Sequence, residues 1–527
     1  MLRAPSRSLL VAGFLLLMSS RSAGAQWQEL TSGTEASQYL YAMQLYGVWG
    51  GESSALRPFG PKAVARWMRD SATAHPWAPR FVASRRRIQW LRPMAVATYG
   101  AGDFPWSYND GALWQGVGVT TAASVGVALR FGPLSLRVEP LAFRAQNAPF
   151  ALDGDTTRGR TPFADAVRPG TIDLPQRFGR TPYARLDPGQ SEFRLDLGPF
   201  AAGLSTMNRN WGPGLRHALL LTGNAPGVPH LFLGTSDRWV TPIGRLNGQL
   251  YYGKASPSGY GPDADRRDRL LTGIVGSWQP RNGRGFEIGG ARLYNKFWPA
   301  GGFSARTLSA PFGSFFTDLQ FYFGGEADNQ LLTAFARWRS EAHGIEVYGE
   351  FGRNDRSIDV RDVVVEPEQN SAWMVGAARS THPTAGGAFW LLRGDLVNGR
   401  VGSISRLSRG QALFYEHSPV TDGHTHRGQL LGSPLLERTG GVELAIDRFT
   451  PRGRMGAMLV NRAMPSDGAE GQPSAGVRTQ WALELTGVRF RGPSDLFARA
   501  GVVLDARRAP QRDRHTTYLS VGTRLGF

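Results

Sequence analysis

The sequence predicts an all-β protein, a transmembrane outer-membrane antiparallel β-barrel of about 16–18 strands with eighteen favoured, preceded by a small N-terminal periplasmic helical element. Three observations carry that prediction: a strictly alternating segment at the C-terminus, an export signal at the N-terminus, and period-two segments between them. In Tyr518 to Phe527, Leu519, Val521, Leu525 and Phe527 fall on one face, and Ser520, Arg524 and the glycines fall on the other. An apolar row of that kind on a polar chain needs a partner, and the closing strand of a membrane barrel finds one in lipid. The terminal Phe527 resembles the signal by which such barrels are handed to the insertion machinery.

At the other end, Arg3 and Arg7 precede an apolar run from Leu9 to Met18, followed by Ala23-Gly24-Ala25. Residues 1–25 therefore read as a signal peptide, with Gln26 the first mature residue. The run is too short to cross a membrane, and no later run approaches the roughly 18 apolar residues that a spanning helix needs. The outer membrane is the expected location. Residues 26–85 lack alternation: Glu35 to Trp49 and Pro61 to Ala74 carry helix formers, with Pro61 where a first helical turn tolerates it.

Residues 86–527 form the expected barrel. Leu134, Leu136 and Val138 alternate with Ser135, Arg137 and Glu139; Phe193, Leu195 and Leu197 with Arg194 and Asp196; Val442, Leu444 and Ile446 with Glu443 and Asp447. Each segment has one lipid-compatible face and one charged face, and about 440 residues at ~10 per strand plus connections support the strand number. Ala151 to Gln190 is the longest expected loop, either an external surface or a plug, and holds Arg177, Arg180 and Arg185 among its charges.

Composition excludes several chemistries. There is no cysteine, hence no disulfide, thiolate site or N-terminal lipid on cysteine. Gly 67 of 527 and a mean hydropathy of -0.28 suit strands that alternate apolar outward and polar inward. The signal takes three arginines and no acid with it, leaving 57 basic against 42 acidic residues, a formal +15. Only Lys62, Lys254 and Lys296 are lysines; the remaining arginines suit carboxylates or phosphates, as in acidic sugars and lipopolysaccharide, and arginine codon bias is the competing cause. An exported barrel has no use for nucleic acid.

The segment Asn208-Arg209-Asn210-Trp211-Gly212-Pro213-Gly214 leads into Leu219-Leu220-Leu221-Thr222-Gly223-Asn224-Ala225-Pro226. It resembles the signature of the capsule assembly Wzi family, as do Glu346 to Phe351 with Asn354-Asp355, and His426 to Ser433. Asn210 departs from the pattern where many members have a second Trp. The resemblance implies a barrel of about eighteen strands that binds surface polysaccharide in a lectin-like way. Read from the residues alone, the turn is first a rigid connection packed inside the barrel and second a sugar contact through Arg209, Trp211 or Arg216, with Asn210 beside them.

Catalytic and metal chemistry find little support. Glu346 and Glu350 share a strand face about 13 Å apart, beyond glycosidase spacing, and are expected to point inward and neutralise lumen arginines. His417, Asp422, His424 and His426 read as solvated loop residues rather than a metal site. No catalytic residue, metal or cofactor is assigned, and no enzyme is expected. The first reading is a monomeric barrel that anchors acidic polysaccharide and contacts outer-membrane lipid and lipopolysaccharide; it requires a lumen blocked by loops or side chains. The rival is a porin-like channel for anions or oligosaccharides, which requires an open pore.

Overall fold

The computed structural model describes residues 34–45, 47, 55–63, 77, 87–153, 161–262, 267–312, 328–354, 370–399, 414–417, 420–464, 478–507 and 512–526. The expected signal peptide and Phe527 lie outside the described residues. An antiparallel sheet of 18 staves closes into one barrel. The first six are β1 (Ile88–Gly102), β2 (Gly118–Phe131), β3 (Leu134–Val138 and Leu141–Ala145), β4 (Tyr183–Asp187 and Glu192–Leu197), β5 (Phe200–Ser205) and β6 (His230–Thr235 and Trp239–Thr241). Next come β7 (Gly244–Ala255), β8 (Arg269–Pro280), β9 (Phe286–Phe297), β10 (Asp328–Ser340), β11 (Ile345–Asn354) and β12 (Ser371–Ser380). The last six are β13 (Phe389–Asn398), β14 (Gly440–Thr450), β15 (Gly453–Met464), β16 (Arg478–Arg491), β17 (Ser494–Ala506) and β18 (Arg514–Arg524). Each stave pairs with its neighbours in sequence, and β18 closes on β1 from Met94 opposite Arg524 to Gly102 opposite Thr516.

Alternation decides which side of each stave faces out. On β14, Leu444 and Ile446 are exposed while Glu443 and Asp447 are buried; on β4, Phe193 and Leu197 are exposed while Arg194 and Asp196 are buried. Leu519 and Val521 on β18 are exposed and Tyr518 and Ser520 buried, as the terminal pattern requires. These outward apolar residues form an exposed surface of the kind a hydrocarbon solvent accepts.

β3 and β4 are interrupted at the same level. Pro140 lacks the N–H that a ladder needs, and opposite it Gly189 adopts φ +62°, where an added Cβ would come within 2.2 Å of the Glu139 carbonyl. Ser191 Oγ accepts the Glu139 N–H at 2.9 Å, so the break leaves that donor satisfied.

Two-residue turns join β2 to β3, β4 to β5, β14 to β15 and β16 to β17, all at the end where β1 begins and β18 stops. The described parts of the long connections, including 146–153, 161–182, 206–229 and 420–439, lie at the opposite end. Helix α1 (Glu35–Leu45) sits in the short-turn mouth with Ala36 to Leu45 all buried. Thr34 Oγ1 caps it by accepting the Ser37 N–H at 3.2 Å, and Glu35 in its first turn pairs with Arg524 at 3.0 Å, tying the helix to the last stave. Of the second expected helix, residues 61–63 are helical and the rest lie outside the described residues. The main apolar core is inside the barrel: Trp106, Trp211, Leu219, Leu220, Tyr415 and Leu431 pack there against inward residues of the wall.

Candidate functional site: a plugged lumen and its outer cap

Loop 206–229, between β5 and β6, turns into the lumen. Asn210 and Trp211 pair as a short antiparallel ladder with Leu56 and Arg57, so the N-terminal segment and the loop meet in the barrel interior. A buried turn needs donors for its carbonyls. Arg57 donates to the carbonyls of Pro213, Gly214 and Leu215 at 3.3, 3.4 and 3.2 Å, and Asn210 Nδ2 donates to those of Gly214 and Leu215 at 3.3 Å each. Gly212 has φ +145°, and an added Cβ would lie 2.6 Å from Glu350 Oε2, so the position requires glycine. Trp211 is 1% exposed; its indole N–H donates to Gln249 Oε1 at 3.2 Å and its ring meets Tyr251 edge-on at 5.5 Å. The rigid, packed reading of the turn is the one the structure holds.

Above the turn, two loops interlock. Tyr415 Oη donates to the Leu219 carbonyl at 2.6 Å and accepts the Ser433 N–H at 2.9 Å. Thr222 donates its N–H to Leu431 O at 2.8 Å and its hydroxyl to Gly432 O at 2.8 Å. His424 Nε2 donates to Leu220 O at 2.6 Å. Arg269 on β8 holds the second loop through Thr425 O at 2.8 Å, Gly423 O, and Asp422 at 3.5 Å. The outer loop 161–182 closes over this layer: the Asp173 N–H donates to Asp422 O at 3.0 Å, Asp165 pairs with Arg438, and Arg168 lies 3.7 Å from Glu416. Loop 103–117 adds Tyr108, whose hydroxyl donates to Glu443 at 3.0 Å. From the short-turn end, Tyr41 of α1 donates to Glu346 Oε1 at 2.8 Å, and Trp77 stacks on Tyr39 at 5.1 Å while donating to Thr450 O at 2.7 Å.

The residues singled out from sequence fall into distinct places. Arg209 pairs with Glu192, donates to His230 Nε2 at 2.9 Å and lies 4.5 Å over the Phe232 ring. Arg216 pairs with Glu443 at 3.2 Å. Arg177 is buried on the Asn147 carbonyl at 2.6 Å, and Arg185 donates to Ala112 O at 3.0 Å and sits 3.4 Å from Asp187. Arg180 is exposed. Glu346 takes Arg337 at 3.1 Å, whereas Glu350 accepts the Leu219 N–H at 3.1 Å and meets no cation at ion-pair distance among the described residues.

The histidine cluster departs from expectation. His417, His424 and His426 are buried rather than solvated, because the loop that carries them is the plug. His426 Nδ1 accepts the Ser256 N–H at 2.9 Å and His417 Nδ1 that of Val420 at 3.1 Å. Burial lowers His424 to about 4 and pushes Glu416 up to about 7. Sequence reasoning missed His217, whose ring joins Ser433 Oγ at 3.1 Å and Glu443 Oε2 at 3.0 Å. The donor atoms of His217, Asp395 and Glu443 lie within 4.8 Å of one another and could hold a metal. Arg216 already places a fixed cation on Glu443, so the group reads as a hydrogen-bonded node between plug and wall.

No family model and no curated protein matches the chain. Among solved structures it is similar to Wzi of Escherichia coli, described as an outer-membrane protein involved in group 1 capsule assembly and as a carbohydrate-binding β-barrel, with 12% identity and a TM-score of 0.62 over 95% of this chain and 100% of that one. OpdK of Pseudomonas aeruginosa aligns at TM-score 0.40 and 9% identity over 83% of this chain and 99% of that chain. OccAB2 of Acinetobacter baumannii aligns at 0.41 and 10% over 84% and 98%. At such identities the likeness to Wzi bears on architecture: the chain has the fold of an outer-membrane β-barrel, eighteen staves around a packed lumen.

Proposed function

We propose that the protein is an outer-membrane barrel that binds acidic surface polysaccharide at its long-loop face and holds it to the cell. One observation carries the reading: loops from the long-loop end interlock by hydrogen bonds inside the barrel, and Arg57 of the N-terminal segment donates to the turn of one of them, which leaves the outer cap as the surface available to a polymer. A channel needs a continuous polar path, and the interlocked layer opposes one.

The cap offers the chemistry for weak sugar contacts. Phe163 and Tyr260 are half-buried and meet edge-on at 5.8 Å, the buried Arg177 backs Phe163 at 6.0 Å, and Arg180 is exposed close by in sequence. Ring faces stack on sugars and guanidinium groups take carboxylates, so many such contacts along a repeating chain add into avidity. On this reading Arg209, Asn210, Trp211 and Arg216 act indirectly, by fixing the plug beneath the cap, and Arg185 fixes the wall beside it. The likeness to a carbohydrate-binding barrel supports the reading.

The test pairs planar-bilayer conductance with binding of purified acidic polysaccharide to the same refolded protein. No conductance together with salt-sensitive binding is expected. Steady conductance without polymer binding overturns the anchor in favour of the channel.

A further inference from the structure

The outer wall is not uniform. From the end of β4 across to β10 it carries an apolar groove of about 1160 Å³, above the ~300–1,000 Å³ usual for ligand pockets. Its walls are Phe200, Trp239, Leu250, Ile274 and Trp278. Its floor includes Gly248 and Gly276, directly opposite each other in the ladder, and Gly276 in turn faces Gly290 of β9. These three lie on the outward face, because Tyr251, Val275 and Ala291, odd-numbered on the same staves, belong to the lumen core.

The floor glycines are not demanded by the backbone. Neither Gly248 nor Gly276 has a positive φ; an added Cβ would meet nothing nearer than Val275 O at 3.3 Å and Asn247 O at 3.8 Å, respectively. What their lack of side chains provides is space, flanked by Leu250 and Ile274, which face each other at the next outward position of the same two staves. At the short-turn end the groove finishes on aromatic residues: Phe200 and Trp239 lie 5.8 Å apart, and the Trp278 indole N–H donates to Ile243 O at 3.1 Å. That same carbonyl accepts the Arg281 N–H at 3.2 Å. Arg281 and Arg284, in the turn after β8, are both exposed and form no ion pair among the described residues. Apolar groove, aromatic edge and two cations follow one another from mid-wall to the membrane edge, the order of acyl chain, interface and phosphate in a lipid.

We propose that this wall holds an anionic phospholipid of the periplasmic leaflet, with an acyl chain in the glycine-floored groove and its phosphate between Arg281 and Arg284. The inference rests on the membrane location proposed above and is independent of polysaccharide binding.

The full chain is reconstituted into vesicles of equal phosphatidylglycerol and phosphatidylethanolamine, extracted in mild detergent, and its retained lipids counted by native mass spectrometry. Wild type should retain one phosphatidylglycerol in preference to phosphatidylethanolamine. Gly248→Leu with Gly276→Leu should cut retention of both lipids at least tenfold, and Arg281→Gln with Arg284→Gln should keep a lipid while losing the preference. Heat-modifiable gel mobility confirms that each variant is folded, and the arginine pair, exposed and outside any ion pair among the described residues, preserves the test if the leucine pair does not fold. Equal retention of the two lipids by wild type, or retention unchanged by the leucine pair, overturns the site. So does a dimer that the leucine pair dissociates, which would make a second copy the occupant. Failure of wild type to insert into the vesicles overturns the membrane reading itself; insertion without retained lipid overturns the groove alone.

Discussion

Replacing Tyr415 with phenylalanine removes one oxygen from the centre of the plug and leaves its shape intact. In the native protein that oxygen donates to Leu219 O and accepts from Ser433 N–H, joining two loops about 200 residues apart in sequence. Tyr415 and Leu219 are 2% and 0% exposed, and Ser433 is 0% exposed, so neither backbone group has water to turn to. Leaving two buried backbone groups unpaired costs about 1–3 kcal/mol each; taking about 3 kcal/mol in total, the opened state of the plug rises on the order of 100-fold. The wall should not notice, since its ladders do not involve this hydroxyl. Hydrogen exchange resolved to residues 219–222 and 430–433 should accelerate by that factor, while the amides of β14 to β18 keep their protection. Unchanged exchange in both segments would refute the view that the loops form one hydrogen-bonded plug, and equal acceleration in the wall would refute its independence from the wall.

Arg57→Ala removes a donor from three turn carbonyls, two of which keep Asn210 Nδ2, and should loosen residues 211–218 by about 1–3 kcal/mol, seen as proteolysis or exchange in that turn with the barrel melting point unchanged. Glu416 offers a pH test. Its carboxyl, ordinarily near 4.5, is raised by burial to about 7, so the folded state holds the extra proton and stability falls as pH rises through that window. Glu416→Gln should therefore stabilise the plug by up to about 3 kcal/mol at pH 8 and change little at pH 4, measured as exchange of residues 414–417 at the two pH values. His424 works in the opposite sense, its burial contribution being present above pH 6.5 and lost as pH falls towards 4. Arg180→Ala, at an exposed position, should weaken polysaccharide binding and flatten its salt dependence without moving the melting temperature; equal binding by the variant would remove Arg180 from the contact surface.

The wall was legible because period two is a local property. Glu443 beside Leu444 and Arg194 beside Phe193 each declare their faces within three residues, and the structure places them accordingly. The plug obeys no such rule. Whether Thr222 meets Leu431 depends on closure of eighteen staves, and nothing within a few residues of either one records it. The same closure buries His424 and His426, which composition and loop position read as solvated. Glu350 shows the limit in the other direction: its inward face follows from alternation, but its partner, a backbone N–H of the plug, does not. One local signal did point inward. Leu219-Leu220-Leu221 is an unbroken apolar triplet in a connection between staves, which an exposed loop has no reason to carry.

The plug also changes what the arginine excess means. A net charge of this size invites the picture of a cationic face waiting for an acidic polymer. Yet Arg57, Arg194, Arg209, Arg269, Arg337 and Arg438 are all buried, each engaged with carboxylates or loop carbonyls. Geometry explains the choice of arginine over lysine. A guanidinium spreads five donors across a plane, so Arg269 alone can reach Gly423, Thr425 and Asp422, which a single ammonium cannot span. Charge placed inside to fasten loops is not available outside to bind ligand, and the cap presents fewer free cations than composition suggests. Polymer binding at that face therefore has to come from the number of contacts along a repeating chain rather than from the strength of any one, and it should vanish for a single repeat unit while persisting for the long polymer.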